Sequence, residues 1–314
     1  MILSMIQTTL FTTAIGGINN FLKAKMVLIS KNMSKKILVM GADGQLAFDL
    51  IRIFGNEDEY DLIKAVRADF DVSNSEACHK FMRAHKPDVV INTAAFHKTL
   101  ECEANPQRSF QVNAIGAYNV AKAASEVNSE IVFISTNYVF DGRKESFSED
   151  DTPNPLNVYG VSKLAGEILT KIANPKSYVV RTGGLFGIHK SSKGHNFVSL
   201  MLEKTQDGNP IKVVNDELTS VTYTYDLAAK IKELVDKSVP YGIYHLVNEG
   251  YCSWYEFACK IFELCQVEAN LVAVSSKERE SPLKRPEKSV LMSTRLKELD
   301  IQNLRVWQEA LMAY

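Results

Sequence analysis

The chain has 314 residues, of which 46% are hydrophobic and 23% charged, and its formal net charge is −1 at pH 7. This balance is typical of a globular protein with one large or two coupled domains. Such a net charge, with no basic stripe, argues against nucleic acid as a partner and gives no electrostatic attraction to an anionic membrane. The five cysteines form no CxxC pair and are odd in number, so we expect reduced thiols and a cytoplasmic location.

The N-terminal 32 residues differ from the rest. Residues 1–22 have no charged side chain but many Thr, Asn and Gln, which is too polar for a typical membrane-spanning helix. They also lack the basic start and the cleavage site of a signal peptide. Because the run SKKILVMG after Met33 is typical of a domain start, we interpret residues 1–32 as an extension that is not part of the fold. A weakly membrane-associated segment is the alternative.

From residue 36 onward, apolar β-rich runs alternate with helical patterns. Strands are predicted at 36–40, 61–66, 87–95, 130–140 and 177–182, and helices at 46–54, 76–85, 109–127 and 159–172. Continuous Val/Ile runs between helices indicate strands that are buried on both faces, as in a parallel sheet. The pattern therefore predicts an α/β fold with a doubly wound parallel sheet of the Rossmann type.

The regular alternation of strands and helices ends after residue 183, where a Gly-rich polar stretch begins. We interpret 211–216 and 242–248 as strands that return to the sheet, and 254–266 as an amphipathic helix whose Trp254, Phe257 and Phe262 belong to the core. The predicted division is a dinucleotide-binding domain of residues 33–182 plus 211–248, and a smaller interleaved C-terminal substrate lobe of residues 183–210 plus 249–314.

The motif GADGQLA (41–47) follows the first strand and opens a helix. Gly41 permits a tight turn, Gly44 lets a pyrophosphate approach the backbone, and Ala47 lets the helix pack on the strand. We predict that this loop binds a dinucleotide; a structural glycine turn is the alternative. The predicted contacts are Gly41, Asp43, Gly44, Gln45 and Leu46.

The stretch RADFDV follows the second strand, where NAD-binding proteins often carry an acid for the ribose. Arg67 lies where a partner for a 2′-phosphate is expected, which favours NADP, although Asp69 is equally placed to hold a ribose. Asp71 suits a contact to the adenine. The predicted cofactor is therefore NADPH or NADH.

Two further strands end in small polar residues, NTAA (92–95) and Ser135-Thr136. The carboxyl edge of an open α/β sheet carries the ligand, so Ala94, Ala95 and Ser135 are predicted to lie beside the nicotinamide ribose. Asn113, in the helix VNAIG, is expected near the same strands.

Tyr159 and Lys163 are four residues apart on one helix face. An adjacent ammonium would stabilise the phenolate and lower the tyrosine pKa. We predict that Thr136 or Ser135 binds a carbonyl oxygen and that Tyr159 gives this oxygen a proton while a hydride arrives from the nicotinamide. The predicted catalytic residues are Thr136, Tyr159 and Lys163, and the last two also contact the cofactor.

These motifs, with STNYVFDG (135–142), NVYGVSKLAGE (157–167) and KRPEKSVL (284–291), resemble the extended short-chain dehydrogenase/reductase family, and within it the dTDP-4-dehydrorhamnose reductases. The resemblance covers 35–311. It implies reduction of the 4-keto group of a nucleotide-linked deoxysugar by NAD(P)H in dTDP-rhamnose biosynthesis. It also implies the trio of Thr136, Tyr159 and Lys163, a sugar contact by Tyr138, and a substrate side that includes Asn196 and Arg285.

The chain departs from that family at three points. Asn137 stands where an Asp is usual, and Gly183-Gly184 stands near the position of a Trp that would pack on the sugar. Some members bind Mg²⁺, and Asp49 falls near one such position, but no convincing ligand set is present and no metal residue is predicted. His97 and Lys98 either line the cleft or belong to an exposed loop.

Two alternatives to a reductase remain at this point. A nucleotide-sugar epimerase of the same fold should hold its NAD tightly, and the Asn at 137 argues against a dehydratase. A non-catalytic regulatory subunit resembling the methionine adenosyltransferase β subunit shares the fold and similar motifs. The expected partner is a nucleotide-sugar; a homodimer is left open.

Overall fold

A computed structural model gives the fold of residues 34–189, 194–278 and 281–314. The predicted extension, residues 1–32, lies outside the described residues. None of the helices in these three ranges combines the length and the apolar composition that a membrane crossing requires.

The strands of the described ranges, in chain order, are β1 Lys35–Met40, β2 Tyr60–Ala65, β3 Val89–Asn92, β4 Glu130–Thr136, β5 Ser177–Thr182, β6 Leu185–Phe186, β7 Ile211–Val214, β8 Leu218–Thr219, β9 Thr222–Tyr223, β10 Gly242–His245, β11 Asn248–Glu249, β12 Cys252–Ser253, β13 Leu271–Val274, β14 Lys288–Ser289 and β15 Leu304–Val306.

The α-helices of the same ranges are α1 Gln45–Gly55, α2 Ser75–His85, α3 Thr99–Ala104, α4 Pro106–Phe110, α5 Ala117–Glu126, α6 Val158–Ala173, α7 Phe197–Lys204, α8 Thr224–Asp236, α9 Trp254–Cys265, α10 Thr294–Glu298 and α11 Trp307–Ala313. A π-helical turn, Gln111–Gly116, joins α4 to α5, so the predicted helix 109–127 begins earlier and is irregular in its middle.

The main sheet has six parallel strands in the order β10-β5-β4-β3-β1-β2. Both of its faces are covered, which is why its strands are continuously apolar. In β1, Ile37 and Val39 pack toward one helix layer, whereas Leu38 and Met40 pack toward the other, because successive side chains of a strand point to opposite faces. The predicted doubly wound Rossmann-type sheet is confirmed.

The two helix layers use the apolar stripes that the sequence pattern indicates. Leu50 and Phe54 of α1 pack with Leu227 and Ile231 of α8 on one face of the sheet. Met82 of α2 and residues of α5 cover the other face, where α6 lies beside α5.

The prediction that 211–216 returns to the main sheet is wrong. Strand β7 pairs in parallel with β13 in a separate two-stranded sheet, and Ile211 and Val213 belong to a second core cluster that includes Phe257 and Phe262. The inner strands β3 and β5 of the main sheet are buried throughout, whereas exposed Lys212 interrupts the apolar run of β7. Strand β10 does join the main sheet as predicted, beside β5.

This topology places the candidate site. The chain leaves β1 toward β2 and then returns to the other side of β1 at β3, so the switch point lies between β1 and β3. Ligands of open α/β sheets bind at the carboxyl ends of the strands beside such a point. The predicted domain boundaries stay a prediction.

Candidate active site

The turn after β1 strongly favours glycine. Gly41 has φ +70, and a Cβ at this position would lie 2.8 Å from the Thr93 Oγ1 atom of the neighbouring strand end. Thr93 is fixed there because its hydroxyl donates to the Met40 carbonyl at 2.6 Å. Gly44 is the N-cap of α1 and has no side chain to cap the helix, so the N–H groups of the first turn are available to an anion.

A cleft of about 430 Å³ extends from this turn along the ends of β2 and β3. The structure brings seven of the predicted cofactor residues together in its wall: Gly41, Asp43, Gly44, Arg67, Asp71, Ala94 and Ala95. His97 and Lys98 also line it, which answers the question that the sequence left open for them. Gln45 and Leu46 lie instead at the start of α1, where Leu46 is buried and the Gln45 Nε2 atom has no hydrogen-bond partner within the described residues.

The residue that the sequence analysis missed in this cleft is Arg108. Its Nη2 atom lies 3.2 Å from Asp71 Oδ2, and the more exposed Arg67 Nη2 atom lies 3.4 Å from the same oxygen. Burial acts to raise the pKa of Asp71, but hydrogen bonds from Ser73 and the Arg108 guanidinium outweigh it and lower this pKa to about 2. The cleft therefore carries two guanidinium groups around one ionised carboxylate.

The residues predicted to transfer the proton lie farther along the same sheet edge. Tyr159 is in the first turn of α6, whose N-cap Asn157 accepts a hydrogen bond from the Gly160 N–H at 2.8 Å. A Cβ at Gly160 would lie 2.2 Å from the Tyr138 carbonyl oxygen, so the helix start packs directly on the turn that follows Thr136. The Tyr138 and Tyr159 rings meet edge to face at 6.2 Å.

The expectation for the tyrosine pKa is wrong. Burial raises the pKa of Tyr159 above its ordinary value, while a hydrogen bond with the Thr136 side chain opposes the rise. Lys163 does not point at the phenol: its Nζ atom donates to the Ile134 carbonyl at 2.6 Å and lies 4.1 Å from the centre of the Phe133 ring. Burial also lowers the pKa of Lys163 to about 7, and the charge of Glu167 opposes this change. In this environment Tyr159 is a protonated phenol, which is the form that a proton donor needs.

Ser135 and Asn113 use their side chains inside the protein. The Ser135 hydroxyl donates to Glu167 Oε1 at 2.5 Å, so it is not directed at a carbonyl in the cleft, and Thr136 is the hydroxyl beside Tyr159. The Asn113 amide holds the main chain of Phe96, which follows Ala95, with its Oδ1 atom accepting from Phe96 N–H at 2.8 Å. Their predicted contacts to the cofactor stay predictions.

The predicted substrate residues fall in different places. Tyr138 lies beside Tyr159, and half-buried Arg285 is in the loop whose Lys284 carbonyl accepts a hydrogen bond from the Asn157 amide. Asn196 is the N-cap of α7. The Asn196 amide also donates to the Gly187 carbonyl at 2.8 Å, which assigns it a role in holding a loop; its contact to substrate stays a prediction.

Comparisons with known proteins show the family to which the chain belongs. A family model described as the RmlD substrate binding domain matches residues 35–314. The chain belongs to this family. It is 36% identical to the spore coat polysaccharide biosynthesis protein SpsK of Bacillus subtilis over 89% of this chain and 96% of that protein. It is also 33% identical to a dTDP-4-dehydrorhamnose reductase of Aggregatibacter actinomycetemcomitans, over 88% of this chain and 97% of that protein.

Solved structures give the same relationship. A dTDP-4-dehydrorhamnose reductase from Bacillus anthracis in complex with NADP has a TM-score of 0.86 and 35% identity, and the match covers 90% of this chain and 99% of that one. A UDP-glucose 4-epimerase from Thermotoga maritima, at 16% identity and a TM-score of 0.77, shares the fold over 88% of this chain and 96% of that one. The prediction that the chain is an oxidoreductase related to dTDP-4-dehydrorhamnose reductases is confirmed.

Within this RmlD-family protein, two departures from the family pattern, Asn137 and Gly183, lie in contact with each other. The Asn137 Nδ2 atom donates to the Ser289 carbonyl at 2.9 Å and to Thr219 Oγ1 at 3.2 Å, which ties the end of β4 to the small sheet of β8 and β14. A Cβ at Gly183 would lie 2.3 Å from the same Nδ2 atom. A larger residue at 183 is therefore incompatible with this position of the Asn137 amide.

Asp49 is fully buried on α1, and its Oδ2 atom accepts a hydrogen bond from the Thr224 hydroxyl at 2.5 Å. Burial raises the pKa of this carboxyl, against the hydrogen bond from Thr224. Within the described residues, no group of three or more His, Cys, Asp or Glu side chains is placed to hold a metal ion. The prediction of no metal residue stays a prediction.

Proposed function

We propose that this protein reduces the 4-keto group of a nucleotide-linked deoxysugar, with NADPH as the reductant and with Thr136, Tyr159 and Lys163 as catalytic residues. The observation that carries the proposal is the meeting of a protonated phenol and a threonine hydroxyl at the end of β4, on the sheet edge that also holds the cleft with the phosphate loop. The fit of a dinucleotide rests on Gly41 and Gly44, since a side chain at 41 would fill the space that the turn leaves.

When bound, the nicotinamide supplies a hydride to the carbonyl carbon. The protein then has to manage the negative charge that develops on the carbonyl oxygen. Thr136 donates a hydrogen bond to this oxygen, and Tyr159 transfers its phenolic proton to it. Lys163, one helix turn along the same face, is held at the Ile134 carbonyl, and we assign it to binding the nicotinamide ribose. Because the raised pKa of Tyr159 keeps the phenol protonated in the resting site, the arrangement suits reduction.

The choice of NADPH follows from the charges of the cleft. Arg67 and Arg108 supply two guanidinium groups near the end of β2, where a 2′-phosphate would lie, and a guanidinium suits a phosphate. One relative, the Bacillus anthracis reductase, was solved in complex with NADP. For the sugar nucleotide, we assign the guanidinium group of Arg285 to a bidentate contact with the diphosphate, and Tyr138 to a contact with the sugar.

The substrate that we propose to test first is dTDP-4-dehydrorhamnose, because several relatives are named for its reduction. The spore coat protein SpsK is a reason to include other sugars in the panel. Purified protein is incubated with NADPH and a panel of dTDP- and UDP-linked 4-keto-6-deoxysugars, and the loss of absorbance at the nicotinamide band is followed. We expect oxidation of NADPH that depends on the sugar nucleotide and is absent with the free sugar.

Other outcomes would contradict the proposal in distinct ways. Tightly held NAD in the purified protein, with interconversion of sugars and no net oxidation, would indicate an epimerase. A regulatory subunit would be indicated if no sugar caused oxidation of NADPH and an enzyme whose activity the chain changes co-purified with it.

A further inference from the structure

A row of buried polar side chains lies directly behind the proton-transfer residues. Ser135, Arg181 and His245 are register partners on the adjacent strands β4, β5 and β10. Glu167, on α6, reaches this row from above the sheet and accepts three hydrogen bonds. They come from Ser135 Oγ at 2.5 Å, Arg181 Nε at 2.9 Å and Arg181 Nη2 at 2.8 Å. Both charged side chains are almost fully buried, at 1% exposure for Glu167 and 2% for Arg181.

The spacing of these groups ties one helix face to one strand end. Tyr159, Lys163 and Glu167 follow each other at intervals of four residues, so they share a face of α6. Lys163 binds the Ile134 carbonyl and Glu167 binds the Ser135 hydroxyl, which are consecutive residues of β4. Two bonds to neighbouring residues fix both the height and the rotation of the helix relative to the strand.

We propose that Glu167, held by Arg181, is a positioning residue of the reductase: it fixes the helix face of Tyr159 and Lys163 against the strand end of Thr136 and places a negative charge beside the Lys163 ammonium. This inference rests on the proposed function for its effect on turnover. Its effect on Lys163 itself does not depend on any substrate.

The rest of the row adds no competing charge. His245 is fully buried, and its Nδ1 atom lies 3.2 Å from the Phe147 carbonyl oxygen and 3.1 Å from the Met292 carbonyl oxygen. Two acceptors around one nitrogen require a proton on Nδ1. Burial lowers the pKa of His245 to about 4, despite the opposing charge of Glu149. The paired charges beside the helix are therefore those of Glu167 and Arg181.

Several titratable groups of the described residues lie near the helix face of Tyr159 and Lys163, and Glu167 is the one that acts on Lys163. Tyr159 and Glu167 lie on its own helix, and Arg181 of β5 is paired with Glu167. Tyr138 from the turn after β4 and Cys102 from α3 act on Tyr159. Within the described residues, Glu167 is the charge that raises the Lys163 pKa, against the larger effect of burial. Removing the Glu167 charge should therefore lower the Lys163 pKa, so that the lysine loses its proton at lower pH.

The test compares Glu167→Gln with the double variant Glu167→Gln/Arg181→Met. The single variant leaves the Arg181 guanidinium buried without its carboxylate and is expected to fold poorly, whereas the double variant removes both charges. The matched control is Asp226→Asn, which breaks a bidentate pair with Arg305 in another part of the fold. The Lys163 pKa is measured by NMR of lysine-labelled protein without substrate, with Lys163→Met to assign the signal, and kcat/KM is measured across pH.

We expect the Lys163 pKa to fall by about 1 unit in Glu167→Gln, to fall less in the double variant because loss of the Arg181 charge opposes the change, and to be unchanged in Asp226→Asn. The alkaline limb of kcat/KM should move to lower pH by a similar amount, and kcat/KM at its optimum should fall on the order of 10-fold to 100-fold through misplacement of the helix. A double variant with the wild-type Lys163 pKa and wild-type kcat/KM would overturn the proposal and leave the pair a purely structural one. If no sugar is reduced by the wild type, the proposed function fails, and the NMR measurement still decides whether Glu167 acts on Lys163.

Discussion

The two ends of the sheet edge are built in opposite ways. At β1 and β3 the proposed cofactor-binding turn depends on the absence of side-chain atoms, since a Cβ at Gly41 would lie 2.8 Å from Thr93 Oγ1 and 3.2 Å from the Ala94 main-chain nitrogen. At β4 the proposed catalytic groups are the buried Thr136 and Lys163 and the half-buried Tyr159, with Thr136 beside Tyr159 and Glu167 one helix turn beyond Lys163. Cofactor binding at the first end should therefore weaken when side-chain atoms are added. Turnover should fall when a single polar atom or charge is removed at the second end.

The largest effect is expected at the buried end, for Tyr159→Phe. Removal of one oxygen deletes the proton donor, and general acid catalysis typically contributes about 10²- to 10⁴-fold. We expect kcat to fall by roughly 10³-fold, while the dissociation constant for NADPH changes little. The exposed Tyr251→Phe is the matched control and should leave both values unchanged. Turnover retained in Tyr159→Phe would remove the phenol from the mechanism.

The next effect is expected at the glycine end, for Gly41→Ala. A left-handed conformation costs a non-glycine residue about 1–2 kcal/mol, and the new Cβ would also lie 2.8 Å from Thr93 Oγ1. We expect NADPH to bind about 10- to 100-fold more weakly, with a smaller change in kcat at saturating cofactor. Dissociation constants come from titration of the nicotinamide fluorescence.

Gly208→Ala separates backbone strain from the close approach. Gly208 has φ +66, but a Cβ there would meet no atom within 4 Å. This variant should lose a similar amount of stability and bind NADPH normally. Equal loss of binding in the two variants would show that general destabilisation, and not the shape of the phosphate turn, explains the result.

A smaller effect is expected for Arg108→Ala, which tests the charges of the cleft. Loss of one guanidinium near a 2′-phosphate should raise the KM for NADPH about 10-fold and leave the KM for NADH nearly unchanged. Arg67→Ala should shift the same ratio less, because the Arg67 side chain is 74% exposed and that of Arg108 is 35% exposed. An unchanged ratio of the two KM values in both variants would contradict the assignment of NADPH.

The same contrast explains what could be predicted from the sequence. The phosphate turn was predictable because its glycine and alanine residues indicate a backbone conformation that involves only a few neighbouring residues. The placement of Tyr159 and Lys163 on one helix was also predictable, since their four-residue spacing is local. The effect of their environment was not, because the burial that raises the tyrosine pKa depends on β4 and on elements far along the chain.

The remaining errors of the sequence analysis also concern residues whose partners are distant along the chain. The run at 211–214 has the composition of a strand, but four residues do not specify a partner, and β13 pairs with it from a distance of some sixty positions along the chain. Arg108 was missed because its partner Asp71 is 37 residues away. For Glu167 a signal was present, since it continues the four-residue spacing of Tyr159 and Lys163, but its partner Arg181 could be found only from the sheet register.

The most direct test of the central claim follows the hydride itself. NADPH that carries deuterium at C4 of the nicotinamide, prepared in each of its two stereochemical forms, is incubated with dTDP-4-dehydrorhamnose and the protein, and the sugar product is analysed by mass spectrometry and NMR. The account predicts one deuterium at C4 of the sugar from one form of the cofactor, with the new hydroxyl proton coming from Tyr159 and exchanging with water, and almost no labelled product with Tyr159→Phe. A sugar without deuterium at C4 from either form, or equal labelling by Tyr159→Phe and the wild type, would contradict it.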